Sequence, residues 1–140
     1  RIQLSRLPAP LAITLGDPAG IGPEVILGAW SRLRAEGRAP PAFVTGGPGL
    51  LRSCGEALGI DCPVVPIAEP AEAVFAAAAG LPVLVALDAP LTPARPSPEG
   101  ARLALASLQW GAKLVLAGEA AGLVTAPVSK GALAAVGWDY

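Results

Sequence analysis

Residues 11–24 read LAITLGDPAGIGPE, and this stretch decides the fold class. Its first five residues are mostly apolar and partly β-branched, which predicts a buried strand over residues 11–15. A glycine-rich loop follows, and the apolar positions after Pro23 recur at the spacing of a helix. A strand, a glycine loop and a helix in this order are typical of the start of an α/β fold.

The alternation of strands and helices continues along the chain. Apolar runs predict strands at residues 42–45, 64–67, 83–87 and 123–125, and helical periodicity predicts helices at residues 50–58, 71–79, 99–117 and 129–136. Between them, residues 88–98 contain four prolines, which predicts an irregular loop. This alternation predicts an α/β fold with a mostly parallel sheet and helices on both faces.

Composition and charge limit the classes of function. The chain has 140 residues, a net charge of −1, 53% hydrophobic residues and 15% charged residues, which suits one globular domain and excludes a disordered chain. Near-neutral charge without a basic run argues against nucleic acid as a partner. The longest apolar stretch, residues 73–87, is shorter than the roughly 20 residues of a membrane span. No secretion signal is recognisable, so we expect a cytoplasmic protein without a membrane partner.

Cysteine and histidine content excludes several kinds of site. Cys54 and Cys62 lack C-x-x-C spacing, which favours two reduced, buried thiols. The sequence has no histidine, so these residues alone cannot form a Ser-His-Asp triad, a Cys-His dyad or a histidine-ligated metal site. Trp30, Trp110 and Trp138 have no basic residues between them and are expected in the core or at an interface.

The glycine-rich loop is the first candidate site. Gly16, Gly20 and Gly22 allow the backbone to approach a ligand closely, and the helix that follows offers amide groups and a positive dipole end to an anion. A phosphate-bearing ligand would suit this loop, which is neither a Walker loop nor a G-x-G-x-x-G fingerprint. The alternative is a tight strand-to-helix turn in which Asp17 bonds local backbone, and both interpretations stay open.

The second candidate site follows the last predicted strand. In residues 125–131, TAPVSKG, the hydroxyl groups of Thr125 and Ser129 flank Lys130. Open parallel sheets tend to bind ligands at their carboxyl edge, so these side chains can hold a phosphate or a carboxylate. The alternative is that Ser129 caps the last helix and Lys130 points to solvent. Asp88 can face the same cleft or form a turn.

Two stretches together resemble a known family. Residues 11–25, LAITLGDPAGIGPEV, and residues 123–133, LVTAPVSKGAL, resemble 4-hydroxythreonine-4-phosphate dehydrogenase, an NAD-dependent oxidoreductase of the pyridoxal phosphate pathway. The first stretch is also similar to the Gly-Asp-Gly-Ile-Gly-Pro-Glu segment of isopropylmalate and isocitrate dehydrogenases, which share the broad fold. One departure is Ala126, where family members usually have glycine.

The resemblance implies a reaction and its cofactors. The reaction is NAD-dependent oxidation of 4-phosphooxy-L-threonine to a β-keto acid, which decarboxylates to 3-amino-2-oxopropyl phosphate. A homodimer and a divalent metal (Zn, Mg or Co) held by histidines are also implied. The residues expected to bind NAD are Gly16, Asp17, Gly20 and Gly22, and those expected to bind the small phosphorylated substrate are Thr125, Ser129 and Lys130. The alternatives are a paralogous dehydrogenase of a phosphorylated sugar acid such as 4-phosphoerythronate, or a non-catalytic α/β module that binds a phosphorylated ligand.

Family proteins are well over twice as long as this chain. We therefore expect residues 1–140 to be the N-terminal α/β portion of a two-domain enzyme with an isocitrate/isopropylmalate dehydrogenase-like fold. The resemblance implies that the catalytic residues and the metal-binding histidines lie beyond Tyr140, the last residue of the sequence. We therefore expect no catalytic residue and no metal ligand within the chain, and an isolated fragment that is inactive.

Overall fold

A single parallel sheet organises the chain. The structure, a computed structural model, describes residues 7–86 and 94–139. Its strands are β1 (Leu11–Thr14), β2 (Ala42–Gly46), β3 (Val64–Ile67), β4 (Leu81–Val85) and β5 (Leu123–Thr125). They lie in the order β3-β4-β2-β1-β5, and each pairing among them is parallel. The predicted α/β fold class is confirmed.

Helices cover both faces of the sheet, as predicted. They are α1 (Gly22–Ala35), α2 (Pro48–Leu58), α3 (Ala73–Ala76), α4 (Pro98–Leu116) and α5 (Lys130–Ala135). One buried cluster joins α1 and α2 to the sheet and includes Leu27 and Leu51. A second cluster, on the side of α3 and α4, includes Phe43 and Leu114. Burial of these apolar side chains on two faces stabilises the layered arrangement.

The helix predicted at residues 71–79 is wrong in length. A 3₁₀ turn at Pro70–Glu72 comes first, and α3 then runs only over Ala73–Ala76. Glu69 and Glu72 form a reciprocal capping box that favours the 3₁₀ turn. Ala73 is the one buried residue of α3, so the alanine-rich segment has no apolar stripe to prolong the helix.

The strand predicted at residues 83–87 begins earlier, at Leu81, and ends at Val85. Pro82 fits inside it because of the direction of its nitrogen. Leu81 donates to the Pro63 carbonyl on the β3 side, so alternation along the strand turns the nitrogen of Pro82 towards β2. Pairing with β2 starts only at Val83, so the missing donor breaks no bond of the sheet. Residue 87 and most of the predicted proline-rich loop, with Asp88, lie outside the described residues.

The buried thiols agree with the sequence prediction. Cys54 and Cys62 are both free and buried against the α1 and α2 face. Burial raises the pKa of both thiols, and the nearby Glu24 carboxylate adds to the effect on the pKa of Cys54. Among the described helices, none combines the length and hydropathy that crossing a bilayer requires.

Candidate functional site

The two candidate loops lie side by side at the carboxyl edge of the sheet. Thr14 at the end of β1 pairs with Thr125 at the end of β5, so the chain leaves both strands at the same edge. We call residues 15–22 the glycine loop and residues 126–129 the β5 loop. The Asp17 amide donates a hydrogen bond of 3.0 Å to the Pro127 carbonyl and joins them directly. The structure thus brings together two segments that are about 110 residues apart in the chain.

Two glycines make this close approach possible. Gly16 has φ +76°, and a Cβ at this position would lie 2.7 Å from the Pro127 carbonyl oxygen and 2.8 Å from the Ala126 Cβ. A Cβ at Gly22 would lie 2.7 Å from the Leu15 carbonyl oxygen and 3.3 Å from the Ala126 Cβ. Both glycines are buried. The space that they leave is therefore filled by the chain itself.

Gly20 has different surroundings. It is exposed, and among the described residues a Cβ here would approach only Asp17, at 3.4 and 3.7 Å, which is ordinary van der Waals contact. The Asp17 carboxylate accepts the Ala19 amide at 2.9 Å, and the Asp17 carbonyl accepts the Gly20 amide at 2.9 Å. Asp17 therefore bonds local backbone, as the turn interpretation expects, and Gly20 forms the open rim of the loop.

The glycine loop leads directly into α1. Pro23 occupies the first turn, and among the described residues no side chain caps the amide groups there. Such a helix start has amide donors and a positive dipole end directed at the carboxyl edge of the sheet. Binding of an anion near the glycine loop stays a prediction.

The predicted substrate residues lie around the β5 loop. Ser129 is the N-cap of α5, and its Oγ accepts the Ala132 amide at 3.2 Å, which confirms the capping role. Lys130 is the first residue of α5, and its side chain is exposed. Thr125 ends β5 and is also exposed. All three are therefore at the same edge of the sheet as the glycine loop.

Buried hydroxyl groups form hydrogen bonds with the backbone of the two loops. Thr14, Thr45 and Ser107 are each 0% exposed. Ser107 Oγ on α4 accepts the Leu15 amide at 2.8 Å and donates to the Thr45 carbonyl. Thr14 Oγ1 accepts the Ala126 amide at 3.2 Å. These residues were not predicted from the sequence, although a threonine lies near the end of each of β1, β2 and β5.

A third segment reaches the glycine loop from the start of α4. The Ala94 amide donates to the Pro18 carbonyl at 3.2 Å, and Ala94 has φ +60°, which is unusual for a residue other than glycine. Ser97 then caps α4 by accepting the Gly100 amide at 3.0 Å. The N-termini of α1 and α4 therefore both lie near the glycine loop.

The described residues form no metal-ligand cluster at the site, and a cavity lies away from it. Within residues 7–86 and 94–139, no three His, Cys, Asp or Glu side chains come together as metal ligands. A cavity of 440 Å³ lies elsewhere, between the segment before β1 and α4, where Pro10, Glu69 and Trp110 are among its lining residues. None of the predicted site residues lines this cavity.

No catalytic residue is expected within this chain. The resemblance places the catalytic residues beyond Tyr140, and Tyr140 itself lies outside the described residues, which end at Asp139. The position of the catalytic groups and of the metal-binding histidines therefore stays a prediction. What the described residues do contain is the pair of loops to which a cofactor and a substrate are expected to bind.

The family of the chain follows from its sequence. The family model described as "Pyridoxal phosphate biosynthetic protein PdxA" matches residues 38–140, which is well over half of the chain. The chain belongs to the PdxA family. The resemblance that rested on the two quoted stretches is thereby confirmed.

Individual PdxA relatives agree with this assignment. A 4-hydroxythreonine-4-phosphate dehydrogenase from Erythrobacter litoralis (strain HTCC2594) is 50% identical over 131 residues, which are 94% of this chain and 39% of the relative. One from Zymomonas mobilis subsp. mobilis is 41% identical and covers 94% of this chain and 38% of the relative. The crystal structure of 4-hydroxythreonine-4-phosphate dehydrogenase from Klebsiella pneumoniae has a TM-score of 0.73 at 30% identity, and covers 94% of this chain and 41% of that one. The chain thus spans about two fifths of the length of these relatives.

Proposed function

We propose that the protein containing this chain is an NAD-dependent dehydrogenase that oxidises the C3 hydroxyl of 4-phosphooxy-L-threonine. The oxidation gives a β-keto acid, and loss of CO₂ from it gives 3-amino-2-oxopropyl phosphate. The names of the PdxA relatives support the reaction. The observation that carries the proposal for this chain is the direct contact between the glycine loop and the β5 loop through Asp17 and Pro127. A cofactor on one loop and a substrate on the other would be held next to each other.

The glycine loop suits NAD. Gly20 is exposed and has room around it, and the uncapped start of α1 offers amide donors to a phosphate group of the dinucleotide. Gly16, Asp17 and Gly22 would contribute by keeping the loop in shape. When bound, NAD supplies the hydride acceptor of the reaction.

The β5 loop suits the phosphorylated substrate. Lys130 supplies a positive charge, and Thr125 and Ser129 supply hydroxyl groups on either side of it. Ser129 Oγ uses an acceptor site in capping α5, so its hydroxyl hydrogen is still able to donate to a phosphate oxygen. A charge-assisted hydrogen bond of this kind contributes about 1.5–3 kcal/mol.

A homodimer in the cytoplasm is the form that we propose to be active. The divalent metal that the resemblance implies has no ligand cluster among the described residues, and the sequence has no histidine. No step of the reaction is therefore assigned to a metal held by this chain.

Gly20→Val in the complete protein tests the cofactor loop. The valine has room in the protein itself, so the variant should fold, whereas its side chain would block a ligand that approaches the rim. We expect the Kd for NAD to rise at least about tenfold, equivalent to about 1.4 kcal/mol. Gly28→Val on α1 is the matched control, because among the described residues no atom outside the local helix backbone lies within 4 Å of a Cβ there.

NAD affinity and NADH formation together separate the proposal from its alternatives. NADH formation measured with 4-phosphooxy-L-threonine and with 4-phosphoerythronate shows which substrate the enzyme prefers. An NAD affinity that Gly20→Val leaves unchanged would support only the turn interpretation of the glycine loop. Binding of a phosphorylated ligand without NADH formation from either compound would support the non-catalytic module.

A further inference from the structure

We propose that Ser107 and Thr14 are positioning residues, each of which holds one of the two loops. Ser107 holds the glycine loop through the Leu15 amide, and Thr14 holds the β5 loop through the Ala126 amide. This inference rests on the proposed function, in which the glycine loop serves NAD and the β5 loop serves the substrate. Neither side chain needs to touch a ligand for this role.

Ser107 is fixed from both sides. Its Oγ accepts from the Leu15 amide at 2.8 Å and donates to the Thr45 carbonyl, so the orientation of the hydroxyl group is determined. Thr45 Oγ1 in turn donates to the Ser107 carbonyl at 2.8 Å and holds this turn of α4 against β2. Leu15 begins the glycine loop, and its side chain is fully buried. The loop therefore starts from a position fixed through both backbone and side chain.

Thr14 acts on the neighbouring loop. Its Oγ1 is 3.2 Å from the amide nitrogen of Ala126, the first residue of the β5 loop and four residues before Lys130. Thr14 is 0% exposed and Ala126 is half-buried, so the acceptor of this partly buried bond lies in the interior. A side chain of β1 thus sets the direction in which the chain leaves β5.

The need for hydroxyl groups follows from where the sheet ends. Thr14 is the last residue of β1 that pairs with β2 and with β5. Beyond it the two loops leave the strand direction, and the Leu15 and Ala126 amides lose their partners in the sheet. A buried amide without a partner is costly, so an acceptor must be supplied by a side chain. The hydroxyl groups satisfy both amides only while the loops keep their places.

The test uses two substitutions in the complete protein. Ser107→Ala removes one acceptor, and Thr14→Val removes the other while keeping the shape of the side chain. We expect Ser107→Ala to raise the KM for NAD about tenfold and to leave the KM for the phosphorylated substrate unchanged. Thr14→Val should raise the KM for the phosphorylated substrate about tenfold and leave the KM for NAD unchanged. The conservative variants Ser107→Thr and Thr14→Ser keep the hydroxyl group and should behave as the wild type.

Leu114→Ala is the matched control for loss of stability. Leu114 is buried on α4 in the cluster with Phe43, and that cluster contains no residue of either loop. The control should lower the melting temperature and leave both KM values unchanged. If Ser107→Ala and Thr14→Val raise both KM values together, or lower only the melting temperature as the control does, the positioning roles are overturned.

Hydrogen exchange separates this inference from the proposed function. Ser107→Ala should accelerate exchange of the Leu15 amide and spare that of Ala126, and Thr14→Val should do the reverse. If the wild type oxidises no substrate with NAD, the proposed function fails, while this pattern still supports positioning. Equal acceleration of both amides in each variant, or of neither, contradicts the inference whatever the activity.

Discussion

The methyl group of Ala126 limits how closely the glycine loop can lie to the β5 loop. It would be 2.8 Å from a Cβ at Gly16 and 3.3 Å from a Cβ at Gly22, and both distances are shorter than ordinary contact. The resemblance leads us to expect glycine at this position in many family members. With alanine in its place, the two glycines of the neighbouring loop become harder to replace.

We therefore predict that Gly22→Ala lowers the free energy of unfolding by about 1–3 kcal/mol. Its Cβ would meet the Leu15 carbonyl oxygen, which belongs to backbone and cannot move without shifting β1. Gly28→Ala on the same helix is the control, and there we expect a gain of about 0.5–1 kcal/mol. Chemical unfolding of both variants measures the difference. Adding Ala126→Gly to Gly22→Ala should recover only part of the loss, and a Gly22→Ala variant as stable as its control would show that the loops are not closely packed.

Lys130 gives a second prediction at this scale. Lys130→Met keeps most of the apolar side chain and removes the charge, so kcat/KM of the complete protein should fall about tenfold to a hundredfold while the protein still folds. Lys113→Met, which changes the other lysine of the chain, is the control and should leave kcat/KM unchanged. Wild-type kinetics in Lys130→Met would place Lys130 on an ordinary solvated face.

Individual site residues were predictable from the sequence to different degrees. The order of strand, glycine loop and helix was enough to place the glycine loop directly after β1, and the pattern around Ser129 allowed a helix cap as one of two interpretations. Ser107 was not predictable, because its partners Leu15 and Thr45 are 92 and 62 residues away in the chain. Local periodicity contains no information on which strand end a helical serine will face.

Among the elements, those with strong boundary residues were predicted best. Ser97 and Pro98 mark the start of α4 and Gly118 follows its end, and the predicted bounds at residues 99 and 117 differ from the observed ones by a single residue each. The short α3 has neither an apolar stripe nor a left-handed glycine directly after it. Its alanines are compatible with helix and turn alike, so the packing decides where the helix ends.

The thiols of Cys54 and Cys62 report on the packing of α2 against the sheet. Burial raises the pKa of both, so the neutral thiol is favoured in the folded state. This contribution to stability is complete below the usual thiol pKa of 9.0 and is lost as the pH rises towards and through the higher folded pKa. We predict slow labelling of both cysteines by iodoacetamide at pH 7.5 and fast labelling after unfolding in urea, measured by peptide mass spectrometry.

Two substitutions on α2, one buried and one exposed, are the controls for the thiol experiment. Leu51→Ala leaves a cavity beneath α2, where Leu51 is fully buried, and should accelerate labelling of Cys54 without chemical denaturant. Leu58→Ala, at the exposed end of the same helix, should not. Fast labelling of the wild type at pH 7.5 would contradict the burial of these thiols.

For the whole molecule, the important feature is the apolar surface along β5 and the helix ends. β5 is an edge strand of three residues, and Val124 in its centre is 49% exposed. Ile21 and Val25, near the start of α1, are also about half exposed. An edge strand with unpaired backbone groups and apolar side chains can pair with another chain.

We therefore predict that a polypeptide of these 140 residues associates in solution, and light scattering should show species larger than the monomer. Val124→Lys places a charge on the edge strand and should restore a monomer. Leu58→Lys is the matched control, since Leu58 is 50% exposed but lies on α2, and it should leave the association unchanged. Association that both substitutions reduce equally would point to general surface hydrophobicity instead of pairing at β5.

The same polypeptide should neither retain a stoichiometric divalent metal nor form NADH from 4-phosphooxy-L-threonine, because it has no histidine and its described acidic and cysteine side chains form no ligand cluster. A monodisperse, metal-loaded monomer that forms NADH would overturn both the role given to the β5 edge and the assignment of the catalytic groups to residues beyond Tyr140.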